Sequence, residues 1–487
     1  MAVREALEGA GFSAAGLCER LGVVKVWMVE PRSPAQQEAC LRTSDLLAAL
    51  LRLFVLGQRL PAPELETLLP ARARESFLRL GLLELGGAGY VSPVILYPVG
   101  RLLVASDRAF SPEDKFQPLE DFVFCPNNIG TLNFLQMIPD QPVETFLDLG
   151  TGSGVAALAA EPFARSILAV DIAPRSAHFA SFNARLNGCR KVRVLVGDLY
   201  GPAGGRQFEL IVAHPPYVPA LARKAIFRDG GLSGEEILKR CIDGLPVHLS
   251  KGGLFVMVCT ALDTDEKNFE WRVREWLGES EREFDLLFGL GDYRTSEDFV
   301  QDLTRTSEEP AGRDPRTWKA IFDQLHAQRV VYGAIVIRRA ASSRSSGRHA
   351  PWTERRKLND HSDASSYLRL FRWRDRLTDP DQRRRFFQAV PRLAPDLKVI
   401  VTHKVHTGKL AASSIRCKNG GRPFPVESEV DDFIVSLINR VDGESTGAAI
   451  YEAVRASGSP EAFTSEHFID LLATLVERGF VELDDGF

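Results

Sequence analysis

Three glycines, Gly150, Gly152 and Gly154, are spaced G-x-G-x-G in DLGTGSG, between the apolar run ETFLDL and the small-residue run VAALAA. A strand, a glycine turn and a helix in that order let backbone approach a bound nucleotide-like ligand. The spacing lacks the G-x-G-x-x-G of dinucleotide binders, and alone it specifies little. Further on, SILAVDIAP ends a second apolar run in Asp171. A carboxylate there can accept both hydroxyls of a ribose, or cap the helix that follows. A third run, VRVLVGDLY, ends in Gly197 and Asp198, where an acid could accept from an adenine amine. The fourth, FELIVAHPPYVP, ends in His214, Pro215, Pro216 and Tyr217. A neutral imidazole accepts one hydrogen bond through its free nitrogen and is also a competent general base near neutral pH.

Each of these turns follows an apolar strand, so a parallel sheet would collect them along its carboxyl edge, where open α/β folds bind ligands. A strand at 253–260 and the antiparallel pair DLLFGL with VVYGAIVIRR extend the same sheet. The set closely resembles the class I S-adenosylmethionine-dependent methyltransferases, with DLGTGSG as the cofactor loop and AHPPY at the catalytic N/D-P-P-Y/F motif. The segment GGLSGEEILKRCID (230–243) is similar to the glycine-containing stretch downstream of that motif in release-factor glutamine and guanine-N2 rRNA methyltransferases. The resemblance covers residues 119–339 and implies a seven-stranded Rossmann-like sheet. It also implies S-adenosyl-L-methionine as cofactor, held by Asp148, Gly150, Thr151, Gly152, Gly154, Asp171, Asp198 and Leu199. His214, Pro215, Pro216 and Tyr217 become the catalytic turn.

The family places Asn or Asp where this chain has His214. In the relatives the side-chain oxygen and the following backbone carbonyl accept from the target NH2, the prolines stiffen the turn, and the aromatic ring stacks on the acceptor. An imidazole keeps N-methylation of an rRNA or protein amide or amine open. As a base it also admits hydroxyl, thiol or carbon acceptors, as in a small-molecule methyltransferase. A third alternative is a nucleic-acid-binding regulator whose methyltransferase-like domain only senses the cofactor. Asn127 and Asn128, in FVFCPNNIG, either cover the site or form a turn after Pro126.

Around this core the chain divides further. Its 487 residues, 45% hydrophobic and 25% charged, suit two to four globular domains, and a net charge of −4 singles out neither nucleic acid nor membrane as a partner. Helical signals followed by FLRLGLLELGGAGYVSPVILYPV predict a winged-helix-like α+β domain over 1–108, and FIDLLATLVERGFVELDDGF predicts another over 366–487. The methyltransferase domain is expected over 109–340 and a basic linker over 341–365. The stretch 338–385 carries an excess of Lys and Arg. It is either a solvated face or an RNA contact, with Tyr367, Phe371 and Trp373 as core residues or stacking platforms. The flanking domains are also candidates for homodimer contacts. Seven scattered cysteines without a C-x-x-C pair predict a reducing cytoplasm, and no apolar run is long enough to span a bilayer.

Overall fold

The computed structural model describes residues 2–30, 33–87, 89–108, 119–307, 309–341, 351–406, 409–420, 424–457 and 463–483. Two compact units emerge: residues 1–286 with 292–343, and residues 287–291 with 344–487. Residues 342–350 of the linker expected over 341–365 lie outside the described residues.

Among the described residues the central sheet has eight strands: β1 (Val143–Leu149), β2 (Ala164–Asp171), β3 (Val192–Val196), β4 (Phe208–Ala213), β5 (Leu249–Thr264), β6 (Phe284–Thr295), β7 (Ala327–Arg339) and β8 (Thr353–Lys357). Their order is β8-β6-β7-β5-β4-β1-β2-β3. The five strands from β3 to β5 in that order pair in parallel, and β7 runs antiparallel to β5. Residues 146–147, 167–170, 210–213 and 255–259 are buried, as parallel strands covered on both faces should be, and their sequences read as unbroken apolar runs. β3, at the sheet's edge, is only partly covered.

The expected seven strands are thus joined by an eighth, β8, which falls inside the stretch assigned to a linker. Its sequence, TERRK, has no apolar alternation to mark it. Charge and ring contacts bury it instead: Arg356 pairs with Glu354 and with Glu477 at 2.7 Å, and the Arg355 guanidinium stands 5.1 Å from the Phe288 ring centre.

At the N-terminal end, helices including Ala62–Leu68 and Ala71–Arg79 lead to an antiparallel pair, Glu84–Gly86 with Gly89–Val91. A second hairpin, Val94–Val99 with Leu102–Asp107, follows. The apolar segment after Gly81 thus forms two hairpins, parted at Ser92-Pro93, where proline has no N–H to give a ladder. Near the C-terminus, a three-stranded antiparallel sheet (Lys398–His406, Lys409–Asn419, Val426–Val430) precedes the helices Asp432–Ile438, Gly447–Ala456 and Ser465–Glu477. The last strand, Val481–Glu482, pairs with Arg392–Leu393 rather than forming a wing of its own. Similar local patterns at 77–85 and 475–483 thus end in different pairings.

The second N-terminal hairpin is fastened to the helix Pro174–Leu186 between β2 and β3. Asn183 there exchanges two 2.8 Å bonds with the backbone of Ala105, and Asn187 does the same with Leu103 at 2.9 and 2.7 Å. Asp107 accepts from Arg175 on that helix and from the Val123 backbone at 2.8 Å.

Candidate active site

The carboxyl ends of β1, β2, β3 and β4 lie side by side. Leu149 is in register with Val170 and Ala213, and Asp171 with Val196. The residues that follow these ends, Gly150, Ile172, Gly197 and His214, therefore share one sheet edge.

On the β1–β2 side, Gly150, Gly152 and Gly154 all take positive φ, at 67°, 55° and 86°. Their backgrounds differ. A Cβ on Gly150 or Gly152 would meet nothing within 4 Å, whereas one on Gly154 would stand 3.0 Å from Ala180. The first two glycines thus leave an open cradle, and the third lets the loop close on the helix Pro174–Leu186. Gly150 and Thr151 both donate to the Val170 carbonyl, at 2.9 and 3.0 Å. Asp171 accepts from the Gly152 backbone through one oxygen at 2.8 Å and from Ala173 through the other at 2.9 Å. Asp171 is therefore a fastener of the loop as well as a ribose candidate, since each oxygen keeps a second lone pair. Asp148 is buried, accepts from the Thr151 hydroxyl at 2.5 Å and from the Ala157 backbone, and is pushed up to about 6 by burial. Its contacts are all within the loop and the helix behind it. Asn183 reaches the same loop with a 2.8 Å bond to the Ser153 carbonyl.

Asp198 pairs with Arg240 at 2.6 Å, and Leu199 beside it has the unusual φ of 45°. Ile172 and Val196, on adjacent strand ends, are left exposed. These two apolar side chains, with Asp171 and Asp198, form a surface suited to a flat base between apolar faces and a ribose on a carboxylate. The sequence reading missed both. Ile172 had a signal in its place directly after the strand-end acid; Val196 had none. The open cradle, the apolar pair and the acids together fit an adenosyl group.

On the β4 side, the His214 ring lies 5.2 Å from the Phe134 ring and 5.8 Å from the Tyr217 ring. Phe134 belongs to the helix Ile129–Gln136, which covers this side, with Asn128 as its cap. The Asn128 side chain accepts from Thr131 and donates to the Cys125 carbonyl, which is the turn-forming role. Among the described residues His214 makes no side-chain hydrogen bond, and burial holds its pKa down at about 4. The imidazole is neutral at physiological pH. Burial also raises the Tyr217 hydroxyl.

The segment 230–243 supports this turn. Val218 and Gly230 are joined by Val218–Arg228 and Gly230–Val218 backbone bonds of 3.0 and 2.8 Å. A Cβ on Gly230 would meet the Pro216 carbonyl at 2.9 Å, so glycine permits the close approach. Glu235, fully enclosed, takes a bidentate pair from Arg272 at 2.9 and 2.7 Å and the Leu262 backbone at 2.8 Å. The glycine segment is thereby pinned to β5. In the basic stretch 338–385, Tyr367, Phe371 and Trp373 are buried in the core. Arg338, Arg339, Arg356, Arg374, Arg383 and Arg384 all face carboxylates.

The methyltransferase small domain profile matches residues 120–270. The chain is 32% identical over 159 residues to a Methanocaldococcus jannaschii protein provisionally named a protein N5-glutamine methyltransferase, covering 31% of this chain and 75% of that one. It is 31% identical over 160 residues to the ribosomal protein uL3 glutamine methyltransferase of Bradyrhizobium diazoefficiens, covering 30% of this chain and 50% of the relative. With the release factor glutamine methyltransferase of Koribacter versatilis the identity is 37% over 138 residues, or 25% and 49% of the two chains. The chain thus spans about half the length of the latter two. The matched region carries the glycine loop, the strand-end acids and the His-Pro-Pro-Tyr turn. The chain belongs to the methyltransferase small-domain family of class I S-adenosylmethionine-dependent methyltransferases.

Proposed function

We infer that the chain methylates the side-chain amide nitrogen of a glutamine in a protein. The observation that carries this reading is the neutral imidazole of His214, which makes no side-chain hydrogen bond among the described residues, on the sheet edge next to the glycine loop. The relatives' names supply the acceptor class, a glutamine of a release factor or ribosomal protein. S-adenosyl-L-methionine, when bound, supplies an activated methyl on a sulfonium. Gly150, Gly152 and Gly154 would cradle it with Thr151 and Asp148 behind them, Asp171 would take the ribose hydroxyls, and Asp198 and Leu199 would border the base. The chain's task is then to align a nitrogen lone pair with the C–S bond and to exclude water.

His214 performs that alignment by accepting from the acceptor NH2 through its unprotonated nitrogen, with the residue 214 carbonyl taking the other N–H. The methyl would come from the sulfonium of the bound cofactor, and the methylated amide nitrogen would carry one surplus proton. That proton is strongly acidic and passes to water, so the transfer needs no general base. An imidazole held at about 4 is also poorly matched to extracting a proton from a hydroxyl. This weakens the small-molecule alternative in which His214 activates an oxygen. A protein acceptor is favoured over rRNA because the named relatives act on proteins, and because six arginines of the basic stretch, Arg338, Arg339, Arg356, Arg374, Arg383 and Arg384, are engaged with carboxylates while Tyr367, Phe371 and Trp373 are buried. Homodimer contacts and a cytoplasmic location are kept as parts of this proposal; among the described residues no helix is long and apolar enough to cross a membrane.

The test is a lysate incubated with methyl-labelled cofactor and the full chain, then separated into protein, RNA and metabolites. Label in protein, mapped by mass spectrometry to a methylated glutamine, is expected. Label confined to RNA or to small molecules would contradict the reading.

A further inference from the structure

One buried group at this site has no task in the scheme above. Tyr332 lies on β7 opposite Thr260 of β5, and its hydroxyl oxygen is shut off from solvent with no hydrogen bond of good geometry among the described residues. The Asn133 side chain of the covering helix is near enough to lower the phenol's pKa as a hydrogen-bonding neighbour does, but it stands outside the geometry of a formed bond. Buried hydroxyls are nearly always bonded, because an unbonded one has given up water and gained nothing. An orphan at a reaction site is accounted for when a ligand supplies the missing partner.

Its surroundings say where that ligand would sit. Gly130 is the second residue of the covering helix, and a Cβ built there would stand 3.2 Å from the Asn128 cap oxygen, 3.6 Å from the Tyr332 hydroxyl and 3.8 Å from His214 Cε1. The phenol and the imidazole therefore flank one gap, and Gly130 places no side chain in it. Tyr332 is also close enough to Tyr217 to help raise the Tyr217 pKa.

We propose that Tyr332 donates a hydrogen bond to the carbonyl oxygen of the acceptor amide while His214 holds its NH2. This assignment rests on the amide reading of the site. An amide presents an acceptor oxygen and a donor NH2 in one plane, and the two side chains match those two needs. An amine offers nothing to the phenol and leaves it orphaned, so the pair discriminates against lysine-type acceptors. Burial raises the Tyr332 pKa, which keeps the proton on the donor at neutral pH. Nothing in the sequence marked this residue, which lies inside the apolar run VVYGAIVIRR.

The experiment uses the full chain, labelled cofactor, and a glutamine-containing peptide library beside matched peptides with lysine in place of glutamine. Tyr332→Phe should lower kcat/KM on the glutamine peptides about ten- to hundredfold, the loss of one donor to a reacting group. Its cofactor affinity by calorimetry should stay within about twofold and its Tm should be unchanged or higher, because the fold loses no bond. Gly130→Ala, whose methyl enters the gap and also presses on the Asn128 cap oxygen 3.2 Å away, should lose glutamine methylation. Wild-type methylation of lysine but not glutamine would sink the amide reading and this assignment with it. Methylation of glutamine by Tyr332→Phe at the wild-type rate would overturn the assignment alone, leaving the amide reading standing. A Tm several degrees lower in Tyr332→Phe, or full activity in Gly130→Ala, would also overturn it.

Discussion

The two halves of the site are built on opposite terms. Around the glycine loop, both Asp171 oxygens, Asp148 and Asn183 are bonded to backbone or hydroxyl groups of the loop or its supports. Around the His-Pro-Pro-Tyr turn, His214 makes no hydrogen bond among the described residues and the Tyr332 hydroxyl is buried without one. A site that binds one fixed cofactor gains from a preformed loop, because little order has to be imposed on binding. The acceptor half instead holds neutral polar groups unsatisfied, so that the correct partner completes them and a wrong one leaves them buried and unpaired. The difference predicts that substitutions in the first half damage cofactor binding and stability together, whereas those in the second half damage turnover alone.

The largest effect should come from Asp171→Ala. It removes the ribose acceptor and leaves the Gly152 and Ala173 N–H groups without their partner. Bonds to a charged acceptor contribute about 1.5–3 kcal/mol each, so calorimetry should show cofactor affinity weakened by about a hundredfold, with a lower Tm. A variant with normal affinity would remove Asp171 from the cofactor site. Asn183→Ala comes next. It strips a fully buried side chain of bonds to Ala105 and Ser153, which should lower stability by about 2–4 kcal/mol in denaturant titrations and weaken cofactor binding less than Asp171→Ala does. If stability were unchanged, the asparagine would not be the fastener between the N-terminal hairpin and the loop.

What the sequence made legible follows the same division. The strand ends, the glycine loop, Asp171 and His214 were readable because a parallel sheet turns apolar runs and their terminal residues into a fixed edge. The engagement of Asp171 with Gly152 was not, since that bond joins two strands through a loop geometry that spacing does not specify. β8 escaped because its burial runs through Arg355 and Arg356 rather than through apolar alternation. The split into two hairpins escaped because the apolar residues on both sides of Pro93 read as one continuous strand. Tyr332 escaped because its strand reads as core, and only the missing hydrogen-bond partner distinguishes it.

A pH measurement sharpens the acceptor half. His214 is held at about 4 by burial, below its unfolded value, so between about pH 4 and 6.5 the unfolded chain binds the extra proton. Stability conferred by the neutral imidazole is complete above that window and is lost as pH falls through it. His214→Asn should therefore show a shallower loss of stability on acidification than the wild type. Turnover should stay flat between pH 6 and 8, because the imidazole is unprotonated throughout; a limb near pH 6.5 would mean that His214 is solvated and ordinary. The smallest effect is expected at the half-exposed Arg240–Asp198 pair, where Arg240→Gln should change stability by less than about 1 kcal/mol. A larger loss would show that this pair fastens the cofactor half as Asn183 does.

The central claim is that His214 orients an amide nitrogen rather than activating an oxygen or sulfur. His214→Asn, assayed at saturating cofactor on the mapped glutamine acceptor, tests it most directly. The amide side chain can accept the same hydrogen bond, so activity should persist within about tenfold of wild type, the scale of one modest hydrogen bond. His214→Ala, which cannot accept it, should fall further. A loss of about 10²–10⁴ in His214→Asn, the size expected when a general base is removed, would contradict the account.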